Sequence, residues 1–285
     1  MTWAELHGVL RGKGRVRADE AMRAEAAVGV VRSIAYDSRT VEPGDVFVAL
    51  KGLHADGTAF ARQAIDRGAV AVVSEQAAPP DVPVAWTVVD DARRALAVLA
   101  SAFYRHPSGE MQVVGITGTN GKTTTAYLVA SVFDAANLRC GLLGTVGYRI
   151  GSELREATRT TPEAPDLQGL LREMVDAGCR ACAMEVSSHA LSLRRADEMT
   201  FAAGVFTNLT RDHLDFHADM EDYFQAKRRL FELLPRDAPS LINIDDPRGL
   251  SLTEVGGRPT SRPGHCRSRS TGSRLTCERR AGRSA

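Results

Sequence analysis

Short apolar runs alternate with segments of helical periodicity over most of the chain. Helix candidates carry apolar residues three or four positions apart, as in Leu96, Leu99 and Phe103. The run His106-Pro-Ser-Gly109 interrupts the pattern, and we interpret it as a domain boundary. Before this boundary the pattern predicts strands at 45–50, 69–73 and 84–89 and helices at 59–67 and 91–104.

The same alternation resumes after the boundary and continues to about residue 244. It is typical of right-handed βαβ units, which form a mostly parallel sheet covered on both faces. We therefore predict an α/β fold, with a small N-terminal α/β domain at 1–108 and a central domain at 109–250. In the central domain, the predicted strands are 111–117, 140–145, 181–186, 203–207 and 240–244, and the predicted helices are 122–136, 164–177 and 220–234.

The composition changes at residue 251, where a basic, low-complexity segment begins. From residue 255 to 285 there are eight Arg and a single acid, Glu278. Such a segment holds too few apolar side chains to offset the entropy lost on ordering. Two interpretations stay open for 251–285: a disordered basic tail, or a shifted reading frame.

The overall charge is close to neutral, with a formal net charge of +1. This balance argues against a nucleic-acid partner. No apolar run approaches the ~20 residues that span a bilayer, so we expect no membrane partner. The chain starts without a basic segment followed by an apolar core, as a secretory signal would have. We expect a cytoplasmic monomer.

Cys179 and Cys182 have the C-x-x-C spacing, which can indicate metal or redox chemistry. They fall in an apolar stretch that is typical of a buried strand. Because residues three apart on a strand point to opposite faces, we favour two structural cysteines.

A glycine-rich loop separates the strand at 111–117 from the helix at 122–136. Backbone N–H groups in such a loop can face phosphates, and the helix dipole adds positive charge. Strict Walker A spacing would put its first glycine at Ile116, which leaves a plain glycine-rich turn as the alternative. The residues predicted to bind ATP are Gly118, Thr119, Asn120, Gly121, Lys122, Thr123 and Thr124.

Acidic residues and histidines follow two of the central strands. Glu185 ends one strand, at the sheet edge where open parallel sheets hold ligands, and could complete a Mg²⁺ site with Thr123. The segment 208–217 contains Asp212, His213, Asp215 and His217. This cluster is compatible with a zinc site, although the H-E-x-x-H spacing is absent, and equally with helix capping and surface charge.

Lys227 lies on the apolar stripe of the helix at 220–234. A lysine at such a position can extend its amine outward to solvent. The functional alternative is that its amine reaches the nucleotide cleft. The stripe consists of Met220, Tyr223, Phe224, Phe231 and Leu234.

Together these segments resemble the Mur ligase family over about residues 30–250, and the family's phosphate loop shares the displaced first glycine. The motifs are Thr117-Gly-Thr-Asn-Gly-Lys-Thr-Thr, Arg159-Thr-Thr-Pro-Glu-Ala-Pro, Met184-Glu-Val-Ser-Ser-His-Ala-Leu, Phe206-Thr-Asn-Leu-Thr-Arg-Asp-His-Leu-Asp, and the helix that carries Lys227. Arg159 and Leu193 depart from the family pattern, which has asparagine and glutamine there.

The resemblance implies roles for individual residues. Lys122, Lys227, His213 and Glu185 would be catalytic, with Thr123 and Glu185 near one Mg²⁺, His213 near a second, and Lys227 carbamylated into an anionic metal ligand. The segments Asp37-Ser38-Arg39 and Leu53-His54-Ala55 would hold UDP. Contacts to the muramoyl-dipeptide would come from Thr160, Thr161, Ser187 and Arg195.

The implied activity is that of an ATP- and Mg²⁺-dependent amide ligase in peptidoglycan precursor synthesis. It would add diaminopimelate or lysine to UDP-N-acetylmuramoyl-L-alanyl-D-glutamate through an acyl phosphate. The resemblance also implies a C-terminal ligase domain that this chain lacks, so we expect a truncated and inactive protein. The alternatives are a non-catalytic ATP- and UDP-sugar-binding fragment, and a folylpolyglutamate- or cyanophycin-type ligase.

Overall fold

The computed structural model describes residues 1–21, 29–52, 55–256 and 258–259. In these ranges the chain forms two sheets, one on each side of a connection at 104–110. No helix in the described ranges is both long and apolar enough to span a bilayer.

The N-terminal sheet has five strands in the order β1-β5-β4-β3-β2. Strands β2 to β5 run parallel, and β1 pairs antiparallel with β5. Helices α1 and α3 pack on one face around Trp3, Leu6 and Leu99. The elements are α1 (Trp3–Gly12), β1 (Val16–Ala21), β2 (Ile34–Ala35), β3 (Val46–Val48), α2 (Ala61–Asp66), β4 (Ala71–Ser74), β5 (Ala85–Val89) and α3 (Ala92–Phe103).

The connection between the two sheets is held in an uncommon backbone conformation. Arg105 and His106 are consecutive residues with positive φ, at 61° and 52°. The His106 ring is hydrogen-bonded to Ser101 Oγ at 2.9 Å, and Ser101 Oγ also reaches the carbonyl oxygen of Glu198 in the central half. Ser108 Oγ accepts from Thr200 N at 3.0 Å. Bonds to both halves thus stabilise a conformation that costs about 1–3 kcal/mol per strained residue.

The central sheet has eight strands in the order β13-β12-β11-β6-β10-β7-β8-β9. Strands from β13 to β7 are parallel, and β8 and β9 form an antiparallel hairpin at the edge. The elements are β6 (Gln112–Thr117), α4 (Lys122–Ala135), β7 (Cys140–Leu143), β8 (Tyr148–Ile150), β9 (Glu153–Arg155), α5 (Ala164–Asp176), β10 (Ala181–Glu185), α6 (Ser188–Ser192), β11 (Ala203–Phe206), α7 (Met220–Glu232), β12 (Pro239–Ile242), α8 (Pro247–Leu252) and β13 (Arg258–Pro259).

Both faces of the central sheet are covered, because its middle strands are apolar on both sides. Leu167, Leu230 and Phe231 belong to the core on one face. Ile116 and Ala126 belong to the core on the other face, where α4 packs. The carboxyl ends of β6, β10 and β11 are neighbours in the sheet, so the loops that follow them meet at one edge.

The predicted α/β class and the mostly parallel central sheet are confirmed. The pattern did not reveal α1, the short α6 or the β8–β9 hairpin. Helix α8 extends past residue 250, and β13 pairs with β12 inside the segment predicted to be a tail. Residues 260–285 lie outside the described residues, so the two interpretations of the tail stay open. The domain division at residue 108 also stays a prediction.

The prediction that Cys179 and Cys182 point to opposite faces is wrong. Strand β10 begins at Ala181, so the twofold alternation of a strand does not extend back to Cys179. Both side chains are buried in the same hydrophobic core, and both are free thiols. Burial raises the pKa of Cys182 well above its usual value, which keeps the thiol protonated and unreactive.

Candidate functional site

The loop between β6 and α4 is shaped for an anion. Gly118 has φ +147°, and a Cβ there would collide with Thr207 Oγ1, so only glycine fits. Gly121, with φ +82°, is the N-cap of α4 and brings no side chain to cap the first helical turn. The N–H groups of that turn therefore remain available to phosphate oxygens. Thr124 lies exposed in the same turn.

The loop is bonded to the segment that follows β11. Asn120 N donates to Asn208 Oδ1 at 3.0 Å, and Thr207 Oγ1 donates to Asn120 O at 2.7 Å. Thr119 N donates to Asn208 O at 2.8 Å, and Thr119 Oγ1 lies 3.2 Å from Tyr223 Oη. These bonds stabilise the loop in its curled conformation without a bound nucleotide.

Lys122 stands at the first position of α4 with its amine folded back over the loop. Its Nζ donates to Gly118 O at 2.9 Å and to Thr119 O at 2.8 Å. Burial lowers the pKa of Lys122, while Glu185 and Asp212 oppose this shift. The amine is therefore placed where phosphate oxygens would approach the loop.

Lys227 does not extend to solvent. It is 1% exposed, its Nζ donates to Gly118 O at 2.8 Å, and the amine lies 4.3 Å above the Tyr223 ring. Burial lowers the pKa of Lys227 to about 6, and the charge of Lys122 contributes to this lowering, with Asp212 opposing. At neutral pH the side chain is thus mostly an uncharged amine inside the cleft. The apolar stripe of α7 placed Lys227 on the inward face but left open whether the amine returns to solvent, and the structure shows that the amine stays in the cleft.

Glu185 ends β10 as a buried carboxylate whose oxygens accept hydrogen bonds. Thr123 Oγ1 donates to Oε2 at 3.0 Å, and Thr145 N donates to Oε1 at 3.0 Å. Thr145 Oγ1 also reaches Oε2 at 3.2 Å. A Cβ at Gly144 would collide with Oε1, so the carboxylate requires this glycine. A hydroxyl and a carboxylate side by side form a hard-oxygen pair that suits Mg²⁺. Sequence reasoning found Thr123 and Glu185 but missed Thr145 and Gly144.

The residues predicted to contact the muramoyl-dipeptide are connected to Glu185 and to one another. Thr161 Oγ1 donates to Glu185 O at 2.9 Å and accepts from Ser187 N at 3.1 Å. Arg195 Nη1 donates to Thr161 O at 3.1 Å. Thr160 Oγ1 shares a 3.0 Å hydrogen bond with Thr145 Oγ1. The structure therefore brings all four predicted residues to the edge that carries the phosphate loop.

The histidines after β11 have different environments. His213 has φ 51° and is partly exposed, with its ring 4.9 Å from that of His189 and 5.9 Å from that of Tyr223. His217 is buried, and its Nδ1 lies 3.0 Å from Asp222 Oδ2 at the start of α7. His213 therefore faces the cleft, and His217 secures the helix that carries Lys227.

His189, on α6, belongs to the motif at 184–191, but the sequence analysis gave it no role, because a single histidine in a short helix gives no periodic signal. Burial lowers its pKa, with His213 and His217 contributing. Within the described ranges, no group of three or more His, Cys, Asp or Glu side chains is arranged to hold a metal ion. The zinc interpretation of segment 208–217 therefore gains no support. A Mg²⁺ bound by Thr123 and Glu185 would take its other ligands from the nucleotide or from water.

A cavity of about 550 Å³ opens in the N-terminal half beside the segment 37–39. Ser38 is buried there and donates from Oγ to Gln63 Oε1 at 2.7 Å. Arg39 pairs with Asp37 at 2.6 Å, and this bond lowers the pKa of Asp37. Ala55 also lines the cavity, whereas Leu53 and His54 lie outside the described residues.

A second cavity, of about 580 Å³, lies between the two halves of the chain. It shares Gly52 with the first cavity and reaches Arg195 and Phe216 in the central half. Because Arg195 is bonded to Thr161, and Thr161 to Glu185, the two cavities connect the segment 37–39 with the edge that carries the phosphate loop.

Comparison with known proteins gives matches in both halves. Residues 116–262 match the Mur ligase middle domain, and residues 30–104 match the Mur ligase family, catalytic domain. A UDP-N-acetylmuramoyl-L-alanyl-D-glutamate--2,6-diaminopimelate ligase of Chlorobaculum tepidum is 52% identical over 226 residues, covering 79% of this chain and 44% of that protein. The protein of the same name from Geobacter metallireducens is 50% identical over 237 residues, covering 80% and 46%.

A solved structure of a UDP-N-acetylmuramoyl-L-alanyl-D-glutamate--2,6-diaminopimelate ligase superposes on this fold with a TM-score of 0.72 and 27% identity. The match covers 91% of this chain and 51% of that chain. The chain thus spans about half the length of the curated relatives it matches. Since the middle-domain match alone covers more than half of the 285 residues, this chain belongs to the Mur ligase family.

Proposed function

We propose that this chain carries the ATP and acid-substrate sites of an amide ligase that adds an amino acid to UDP-N-acetylmuramoyl-L-alanyl-D-glutamate. The observation that carries the proposal is the buried amine of Lys227, which shares Gly118 O with Lys122 beside the phosphate loop. Burying a lysine lowers the stability of the fold, because the ammonium group loses its hydration. Its presence favours a chemical role.

ATP is the phosphoryl donor in this proposal. The loop 118–121 would receive its phosphates, and Lys122 would exchange its two backbone carbonyl partners for phosphate oxygens. Mg²⁺ held by Thr123 and Glu185 would neutralise charge on those oxygens. The residues fit the ion, because a hydroxyl and a carboxylate oxygen already lie 3.0 Å apart.

Lys227 would act as a carbamate. Its uncharged Nζ attacks the carbon of CO₂ and loses a proton, which converts the amine into an anionic group with two oxygens. The low pKa of Lys227, about 6, supports this step, because only the unprotonated amine is nucleophilic. The carbamate and His213 would face the second cation that the resemblance implies.

The acid substrate would occupy the two connected cavities. Its UDP group would lie beside Ser38 in the first cavity, and its peptide would extend through the second toward Thr160, Thr161, Ser187 and Arg195. One glutamyl carboxylate oxygen then attacks the γ-phosphorus and ADP leaves. The amine of the incoming amino acid attacks the acyl carbon and gives up one proton to solvent, and phosphate leaves with the electrons of the broken C–O bond.

We propose 2,6-diaminopimelate as the incoming amino acid. The sequence alone left diaminopimelate and lysine equally open. The choice rests on seven relatives, 44–52% identical to this chain, that are named 2,6-diaminopimelate ligases, whereas another, 46% identical, is named only as a tripeptide synthetase.

Phosphate release from ATP tests the proposal. Because this chain spans about half the length of its relatives, the assay uses residues 1–250 joined to the remaining half of the Chlorobaculum tepidum relative. In that protein, release should require UDP-N-acetylmuramoyl-L-alanyl-D-glutamate and should be fastest with diaminopimelate rather than lysine. Lys227→Ala should lose it, whereas Arg228→Ala, a change at an exposed neighbour on α7, should retain it. Labelled bicarbonate should give a carbamate carbon signal by NMR in the wild type and none in Lys227→Ala. A Lys227→Ala protein with normal release would sink the proposal.

The same assay separates two alternatives. A protein that only binds ATP and the UDP-sugar would bind both in calorimetry and release no phosphate with any amino acid. A folate-type ligase would release phosphate with a folate substrate and not with the muramoyl-dipeptide.

A further inference from the structure

Most charged side chains that line the cavity between the two halves are either bonded within the protein or exposed to solvent. Arg194 is paired with Asp91 at 2.7 Å, across the boundary between the halves. Glu75 Oε1 accepts from Ala92 N at the start of α3, at 2.9 Å. Lys51 and Asp90 are exposed at the rim. None of these groups therefore indicates a bound ligand.

Arg93 and Arg195 differ, because they share a single carboxylate. Arg195 Nη2 lies 2.7 Å from Glu163 Oε1, while Arg93 Nη1 lies 3.8 Å from Glu163 Oε2, too far for a hydrogen bond. Glu163 therefore forms a hydrogen-bonded pair with Arg195 alone, and the Arg93 guanidinium is left without a hydrogen-bonded carboxylate among the described residues. Arg195 is 8% exposed and the Arg93 side chain 23%, so water screens the repulsion between the two guanidinium groups only in part.

Each of the two arginines also has a buried nitrogen without a partner. Arg93 Nη1 and Arg195 Nε make no hydrogen bond to any described residue. Buried polar atoms are nearly always satisfied, so two orphaned donors in one cavity indicate a missing acceptor. Burial lowers the pKa of Arg195, and the charges of Arg159 and Arg93 contribute to this shift. An anion at this place would satisfy the donors and relieve the repulsion.

The position of Arg93 relative to Arg195 is fixed from both sides. Asp91, the N-cap residue of α3, pairs with Arg194, and Arg93, in the first turn of α3, pairs with Glu163. Glu163 in turn is the N-cap residue of α5 in the central half. The reciprocal pairs hold the guanidinium group of Arg93, from the N-terminal half, beside that of Arg195, from the central half.

We propose that Arg93 is a substrate-binding residue that, together with Arg195, binds the glutamyl carboxylate that does not react. The assignment rests on the proposed function above. That substrate ends in two carboxylates, and only one should reach the phosphate. Guanidinium groups bind carboxylates through paired N–H donors, which fixes orientation as well as position. Holding the spectator carboxylate between two arginines therefore selects which carboxylate is activated.

Calorimetry with three kinds of ligand tests the role of Arg93. The ligands are UDP-N-acetylmuramoyl-L-alanyl-D-glutamate, the two mono-amides of its glutamyl carboxylates, and the same compound without the glutamyl residue. Losing a charge-assisted hydrogen bond should weaken binding of the diacid to Arg93→Ala roughly tenfold to hundredfold. The compound without the glutamyl residue should bind wild type and Arg93→Ala equally. In wild type, the mono-amide of the spectator carboxylate should bind more weakly than the diacid. In Arg93→Ala the two should bind with similar affinity, because the carboxylate that the mono-amide lacks no longer meets Arg93.

Two further variants control for structure. Arg93→Lys keeps the charge without the planar pair of donors, and should fall between wild type and Arg93→Ala. Arg94→Ala removes the neighbouring arginine, which reaches Asp197 outside this cavity, and should bind all ligands as wild type does.

Arg93→Ala binding that falls equally for every ligand, or for none, overturns the assignment while leaving the proposed function intact. A wild-type chain that binds none of the ligands overturns both.

Discussion

The carboxyl edge of the central sheet and the N-terminal cavity hold their charged groups in opposite ways. At the carboxyl edge of the central sheet, Lys227 and Glu185 are each 1% exposed and are bonded to elements distant in sequence. Beside the segment 37–39 of the N-terminal half, Arg39 is 80% exposed and pairs with Asp37, two residues away. Buried charges cost stability, whereas exposed pairs contribute little either way.

In the proposed function, the central edge is pre-organised for chemistry and the N-terminal cavity binds the UDP group. Substitutions should therefore change stability and ligand affinity strongly at the central edge and weakly in the N-terminal cavity. Four substitutions test this contrast.

Gly118→Ala should have the largest effect. The new Cβ would collide with Thr207 Oγ1 in a backbone conformation that alanine disfavours. Strain and overpacking together should lower the free energy of unfolding by about 3–5 kcal/mol, and ATP binding should be lost. Thermal denaturation and ATP calorimetry measure both. Gly121→Ala is the matched control: its φ is +82° but its Cβ would meet nothing within 4 Å, so it should cost only about 1–2 kcal/mol. Equal losses in the two variants would contradict the tight fit at Gly118.

Lys227→Met should raise stability while abolishing phosphate release. Because the folded pKa is about 6 and the ordinary value is 10.5, folding must strip a proton from this lysine at neutral pH. Each unit by which folding lowers the pKa of Lys227 costs up to about 1.4 kcal/mol of stability, which the methionine does not incur. The variant also loses the hydrogen bond to Gly118 O, which offsets part of this gain. The variant should therefore gain about 2–4 kcal/mol at pH 7 in carbonate-free buffer.

The stability that Lys227→Met gains over wild type should fall as the pH rises. The penalty for burying Lys227 is complete below about pH 6, shrinks as the pH rises, and vanishes above 10.5. Chemical denaturation of wild type and Lys227→Met across this range should therefore converge at high pH. A variant that is no more stable than wild type at pH 7 would refute the buried uncharged amine.

Glu185→Gln should lower the affinity for Mg²⁺-ATP by about tenfold to hundredfold, because the cation loses an anionic ligand. The fold should tolerate the change, since the amide can still bond to Thr123 and Thr145. ATP titrations with and without Mg²⁺ separate the effects. A Glu185→Gln protein whose ATP affinity responds to Mg²⁺ as strongly as wild type would exclude Glu185 from the magnesium site.

Ser38→Ala should have the smallest effect. It removes one neutral hydrogen bond to Gln63 and, in the proposed complex, one contact to the UDP group. Affinity for the UDP-substrate should fall about threefold to tenfold, and ATP affinity should not change. A larger loss than that of Glu185→Gln would reverse the contrast between the two regions.

The sequence predicted the central edge well because its signals are local. A periodic stripe placed Lys227 inward, and the rule that ligands bind at the carboxyl ends of parallel strands placed Glu185 beside Thr123. Family resemblance, rather than any pattern, joined Thr161 and Arg195 to them. The predicted chemical roles of these residues stay predictions until they are measured.

The features that were missed depend on contacts between distant segments. Thr145 lies in a loop forty residues before Glu185, and no pattern in the sequence of that loop predicts the hydrogen bond between them. Arg93 looks like an ordinary charge on an amphipathic helix until the other half of the chain packs against it. The cysteine prediction failed for a related reason: it assumed a strand boundary that only the pairing with β6 and β7 fixes.

The connection at Arg105 and His106 has a mechanical consequence. These two consecutive left-handed residues are flanked by Ser101 and Ser108, which form hydrogen bonds to Glu198 and Thr200 in the central half. Because these contacts cross the boundary, the connection keeps its strained conformation only while the two halves stay packed together.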